Sequence, residues 1–60
     1  MLVWFRTQTG NSIAVDNRHV TSVYESDVND NKITNINTLN GNIQVVDSVL
    51  EVVSRLNNAE

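Results

Sequence analysis

The chain has 60 residues and carries 4 Lys and Arg against 7 Asp and Glu, a net charge of −3 with the single His neutral. This length accommodates one domain, 1–60. The absence of Cys excludes disulfide bonds and thiolate metal sites. The acidic balance argues against a protein that wraps nucleic-acid phosphates. With no long apolar run and no recognisable signal peptide, we expect no membrane insertion and a cytoplasmic location.

The first half of the chain predicts three β-strands. Val, Ile and Thr make up 19 of the 60 residues, an enrichment that favours extended structure. Apolar segments at 2–7, 12–15 and 20–25 are bounded by polar turn residues. Gly10 lies between the first two segments and can adopt a positive φ, so these segments are expected to form a hairpin.

The second half predicts two further strands. The segment 26–31 is rich in Asn and Asp and is expected to be a loop. The strands at 32–39 and 42–46 are joined by Asn40-Gly41, a pair typical of a type I′ turn with two positive φ angles.

The fourth strand departs from simple alternation. Its apolar residues, Ile33 and Ile36, are three positions apart, so a regular strand would direct them to opposite faces. This spacing predicts either a β-bulge or burial on both faces of the strand.

A helix is predicted at the end of the chain, where the apolar period changes to i, i+3, i+4 and i+7. The residues of this stripe are Val49, Val52, Val53 and Leu56. Ser48 precedes the stripe, and its hydroxyl is expected to accept from the Glu51 amide as an N-cap. Arg55 lies in the last turn, where a positive charge is favoured by the helix dipole.

These elements predict an α+β fold: an antiparallel meander of four or five strands with one C-terminal helix packed on one face. The predicted core consists of the apolar residues expected to lie between the sheet and the helix. They are Leu2, Trp4, Ile13, Val15, Val20, Val23, Ile36, Ile43, Val45, Val49, Val52, Val53 and Leu56.

The first strand also predicts self-association, because it is apolar on both faces. One short helix covers one sheet face, and the other face would leave a large apolar side chain exposed. We therefore expect a non-catalytic regulatory or interaction protein that forms a homodimer or a higher oligomer and binds another protein. The candidate interface residues are Trp4, Phe5, Tyr24 and Val3.

No catalytic residue, metal site or cofactor is predicted. The segment 27–31 echoes the start of a calcium-binding loop, but the Gly and Glu that such a loop requires are missing. Asp16, His19 and Ser22 are the residue types of a hydrolytic triad, yet a chain this short has little room for a catalytic pocket. We therefore do not expect an enzyme.

Two alternatives remain at the level of the sequence. Arg6, Arg18 and His19 could form a basic cluster beside Trp4 and bind single-stranded nucleic acid by charge and stacking. The acidic side chains could instead form one surface, as in an acidic phage-type inhibitor that occupies a basic site on a host protein. Those acidic residues are Glu25, Asp27, Asp30, Asp47 and Glu51.

The order of signals from Gly10 onward resembles the small flagellar and swarming-motility proteins of the FlbD/SwrD type. The residues that carry the resemblance lie at 10, 13–17, 20, 23–25, 38–41, 45–49 and 51–52. The resemblance implies a strand-rich body, a Ser-capped terminal helix and a role in motility. The first ten residues also resemble the start of the carbon-storage-regulator type of RNA-binding dimer, which implies the nucleic-acid alternative.

Overall fold

The computed structural model describes residues 1–59 and contains five antiparallel strands and one α-helix. The elements are β1 (Leu2–Arg6), β2 (Ser12–Asp16), a 3₁₀ turn (Asn17–His19), β3 (Val20–Val28), β4 (Asn31–Thr38), β5 (Gly41–Val45) and α1 (Val49–Asn58). This arrangement confirms the predicted α+β meander with a C-terminal helix. None of the helices within residues 1–59 has the length and apolarity to span a membrane.

The strands form two small sheets that meet at the end of β1. β1 and β2 form a hairpin, and β3, β4 and β5 form a three-stranded meander. An isolated bridge joins Thr7 to Val45, and the Val46 amide donates to the Arg6 carbonyl at 3.0 Å. The spatial order is therefore β2-β1-β5-β4-β3, and the core is formed by side chains of β1, β2, β4, β5 and the helix.

The first hairpin buries the face of β1 that the sequence analysis had placed outside. Val3 pairs with Val15 and Phe5 pairs with Ile13, so these side chains share the core face. Val3, Phe5 and Val15 are buried, whereas Leu2 and Trp4 alternate with them and point outward. The predicted core positions Leu2 and Trp4 are therefore wrong, because the hairpin register puts the odd-numbered residues of both strands inside.

Two hairpins of the second sheet are closed by two-residue turns, and the first of these turns is Asn29-Asp30. Both residues have positive φ, 51° and 64°, as a type I′ turn requires, and Val28 pairs directly with Asn31 across it. Most of the predicted 26–31 loop is therefore strand. The prediction for Asn40-Gly41 is wrong in detail: the loop is Leu39–Asn40, Asn40 has no positive φ, and Gly41 (φ 134°) already pairs with Thr38.

The β4 strand is covered on both faces, which confirms one of the two explanations for the spacing of Ile33 and Ile36. Three consecutive residues, Thr34, Asn35 and Ile36, are buried. The Asn35 side-chain amide donates to Ser26 Oγ at 2.9 Å and to the Ile33 carbonyl at 3.2 Å, which satisfies a buried polar group. The register irregularity lies in β3, between Val20 and Ser22.

The α1 helix begins where the sequence predicts. Ser48 is the N-cap, and its hydroxyl accepts from the Glu51 amide at 3.2 Å. Val52 is fully buried, as predicted, whereas Val53 is 38% exposed, so its assignment to the core is wrong. At the other end, the Asn17 side-chain amide donates to the carbonyl of Ala59 at 3.1 Å, which attaches the helix end to the Asn17–His19 turn.

Candidate interaction surface

The outward face of β1 carries the most exposed aromatic side chain of the described residues. Leu2 is 61% exposed and Trp4 is 60% exposed. Arg6 points the same way because side chains alternate along a strand. Ala14 lies opposite Trp4 on β2 and is too small to cover the indole. We call these four residues the β1 face.

A shallow groove of about 390 Å³ borders this face, between β1 and the end of α1. Leu2, Trp4 and Arg55 are among the residues that line it, and Asn58 and Ala59 close it at the helix end. The indole therefore stands beside a shallow, open depression that is lined in part by apolar side chains.

Arg55 fixes the position of this face from the helix. Its guanidinium donates to the Trp4 carbonyl and forms an ion pair with Asp47, with 3.2 Å between Nη1 and Oδ2. The guanidinium carbon lies 4.6 Å from the centre of the Phe5 ring, a cation–π contact. Because the Trp4 backbone is also paired to Ala14, the indole is carried by a backbone held from two sides.

The role of Arg55 was missed by the sequence analysis, which assigned it only to the helix dipole. Its partner Trp4 is 51 residues away in the chain. The signal available in the sequence was the opposite charge of Asp47, just before the N-cap, and Arg55, eight residues later in the last turn.

The predicted interface residues divide into two groups. Val3 is 8% exposed and forms part of the lining of the groove beside Trp4, whereas Phe5 is 3% exposed and lies in the core. Phe5 therefore offers almost no surface to a partner, and Val3 offers only the part that faces the groove. Trp4 and Tyr24 are exposed, but Tyr24 lies on β3, three strands from β1 in the spatial order, and its hydroxyl accepts from Asn42 Nδ2 at 3.2 Å. The two aromatic residues therefore do not form one surface.

The basic residues do not form the predicted cluster. Arg6 pairs with Ser12 near the turn of the first hairpin, whereas Arg18 follows Asp16 at the opposite end. Four residues of strand separate the two ends, roughly 13 Å. Arg18 binds Asp16 through two side-chain bonds of 2.8 and 3.1 Å and one backbone bond of 2.9 Å. These bonds hold the pKa of the Asp16 carboxyl well below its usual range. His19 is exposed in the turn.

The acidic residues also divide. Lys32 lies 3.4 Å from Glu25 and 4.0 Å from Asp27, which offsets part of the charge at the β3–β4 end. The other acidic residues, Asp47 and Glu51, lie at the start of α1, where Asp47 is paired with Arg55. The predicted single acidic surface is therefore two separate groups.

Comparison with known proteins gives no match for this chain. No protein-family model matches it. No curated protein sequence is significantly similar to it, and no solved structure matches its fold at a significant level.

Proposed function

We propose that this chain is a non-catalytic interaction module that self-associates through the β1 face. The observation that carries the proposal is the exposure of Trp4 and Leu2 side by side on a paired strand. A second copy of the chain is the partner to which we commit.

The exposed area is sufficient for the centre of an interface. A Trp side chain presents roughly 250 Å² at most, so the exposed 60% of Trp4 amounts to about 150 Å². At about 25 cal/mol per Å², covering the indole would contribute about 4 kcal/mol before the cost of association. Trp is also the residue most enriched at the energetic centres of interfaces.

The rigidity of the face supports the same conclusion. β1 is hydrogen-bonded to β2 along its length, and Arg55 holds the Trp4 carbonyl from the helix. A surface that is already ordered loses little conformational entropy on binding. An aromatic side chain on such a surface costs less to dock than one on a mobile loop.

Neither alternative function gains support from the geometry. A single-stranded nucleic acid needs a continuous basic track beside its stacking residue. Arg6 and Arg18 lie at opposite ends of the first hairpin, and Arg18 is already bound to Asp16. An acidic inhibitor needs one continuous acidic surface, and the acidic residues form two groups of which each contains a paired cation. The motility role implied by the resemblance remains a prediction about the process in which the module acts.

Light scattering after size-exclusion chromatography tests the proposal. We expect the wild type to be larger than a monomer at micromolar concentration, and Trp4→Thr to shift to monomer while keeping its circular dichroism spectrum. Leu50→Gln is the matched control: Leu50 is more exposed than Trp4 but lies on the outer surface of α1, so its loss should leave the assembly intact. A wild type that stays monomeric at millimolar concentration would refute the proposal.

A further inference from the structure

The β1 face has one charged residue, Arg6. Within residues 1–59, the Arg6 side chain forms no hydrogen bond or ion pair. The nearest acidic residue in the first hairpin, Asp16, is occupied by Arg18 at the other end of the strands. The β1 face therefore combines an exposed indole with an uncompensated positive charge.

A region of negative charge lies where β3 and β4 extend beyond the end of β5. β5 pairs with β4 only as far as Thr34, so residues 26–33 project as a two-stranded ribbon. The molecule is accordingly elongated, 35 Å by 20 Å by 20 Å. We call residues 25–33 the β3–β4 ribbon, which includes Glu25 at its base.

The ribbon carries excess negative charge together with exposed apolar surface. Three acidic residues, Glu25, Asp27 and Asp30, face a single cation, Lys32, which leaves a net charge of −2 (three negative, one positive). Asp30 in the turn has no cation partner in the described chain. Val28, adjacent to that turn, is 45% exposed.

We propose that copies of the chain associate head to tail, with the β1 face of one copy on the β3–β4 ribbon of the next. Trp4 and Leu2 would pack against Val28, the exposed apolar residue of the ribbon, and Arg6 would pair with Asp30. This inference rests on the proposed function and adds the identity of the complementary surface. A head-to-tail contact leaves one free surface of each kind, so it produces a chain or a closed ring rather than a twofold dimer.

A twofold dimer through two β1 faces is less favourable electrostatically. In such a dimer each Arg6 would face residues of the same surface, whose one charged residue is Arg6 itself, and the carboxylate of the first hairpin, Asp16, already binds Arg18. Burying an unpaired charge in an interface is costly. Glu51, the other described acidic residue without a cation, lies in the first turn of α1, where the helix dipole already offsets its charge.

Mixing two variants tests the head-to-tail arrangement. Trp4→Thr removes the β1 face, and Asp27→Lys with Asp30→Asn reverses the charge of the ribbon without altering a core residue. Asn is chosen at position 30 because it tolerates the positive φ there. We expect each variant alone to be monomeric, with dissociation constants more than about tenfold above the wild type, and the equimolar mixture to form a heterodimer by light scattering.

The outcomes are distinguishable. The heterodimer forms because the ribbon of the Trp4 variant and the β1 face of the ribbon variant are both intact, and its formation supports the proposal. If the ribbon variant assembles as the wild type does and the mixture contains no heterodimer, the head-to-tail arrangement is refuted while self-association through the β1 face stands. A monomeric wild type refutes both. Thermal melts of each variant confirm that the fold is retained.

Discussion

Val52 and Val53 are neighbours in α1 with very different surroundings, and truncating each to Ala makes the same chemical change in both. Val52 is fully buried, and Val53 is 38% exposed. Both substitutions gain the same helix propensity, about 0.5 kcal/mol in favour of Ala. The difference between the two variants therefore reports the packing of the side chains.

The expected free energies follow from the burial. Removing two buried carbon groups at position 52 costs about 1.6 kcal/mol of transfer free energy, and the cavity adds about 1 kcal/mol. After the helix gain, the free energy of unfolding of Val52→Ala should fall by about 2 kcal/mol. Val53→Ala loses only the buried part of the transfer term and leaves no closed cavity, so its loss should be about 0.5 kcal/mol.

Urea and thermal unfolding monitored by circular dichroism measure this difference. A gap of about 1.5 kcal/mol corresponds to about 6 to 12 °C in Tm for a domain of this size. The total stability of such a domain is about 3 to 9 kcal/mol, so Val52→Ala should remain folded. Equal losses in the two variants would show that the helix does not direct Val52 into the core, and the helix packing described here would be wrong.

Three further predictions concern the contacts that hold the fold together. Arg55→Lys keeps the positive charge, but a Lys ammonium cannot bond the Trp4 carbonyl and the Asp47 carboxylate at the same time. The free energy of unfolding in urea should therefore fall by about 1 kcal/mol, and an unchanged urea midpoint would refute the positioning role of Arg55. Asp16→Asn should make stability fall less steeply on acidification. The pKa of Asp16 is lowered in the folded state, so the Asp16 carboxylate stabilises the fold above the unfolded carboxyl pKa of about 3.9, and this stabilisation is lost as pH falls below that value. If the Tm of the variant drops between neutral and acidic pH as steeply as that of the wild type, the Arg18–Asp16 contact is not responsible. Asp30→Gly should raise the free energy of unfolding by about 0.5 kcal/mol, and the Tm with it, because Gly adopts the 64° φ without strain. A lower Tm would contradict the turn assignment.

The sequence located the elements well wherever the determining contacts are local. The Ser48 cap fixes the start of α1, and both glycines, Gly10 (90°) and Gly41 (134°), have the positive φ expected of them. The alternation of Ile13 and Val15 correctly indicated one face of β2. Such signals depend on residues a few positions apart, which is why they can be read without tertiary structure.

The sequence does not show which face of β1 points into the core, because both faces of that strand are apolar. The choice depends on the register of the first hairpin, in which Val3 pairs with Val15. A turn shorter or longer by one residue would have turned Leu2 and Trp4 inward. The candidate interface depended on this choice: the sequence offered both Trp4 and Phe5 as candidate anchors, and it could not show that Phe5 is the one that points inward.

The remaining features involve contacts between distant parts of the chain. Arg55 reaches Trp4 across 51 residues, and Asn17 reaches Ala59 across 42. Neither partner can be inferred from spacing, since the positions come together only once the sheets are formed. The turn at Asn29-Asp30 lies within the predicted 26–31 loop, but its two residues were not singled out because Asn-Asp is less typical of a type I′ turn than Asn-Gly.

The attachment of α1 determines how the molecule opens. Apart from Val52 and its apolar neighbours, the helix is held mainly by Arg55 at β1 and by Asn17 at its last turn. These few anchors can release together, so α1 is expected to detach as a unit while the strands remain paired, and its amides should exchange with deuterium sooner than those of β4. Detachment would uncover the Phe5 ring and the apolar floor beneath Val52. This transient open form, rather than the fully unfolded chain, is then the species from which aggregation would begin.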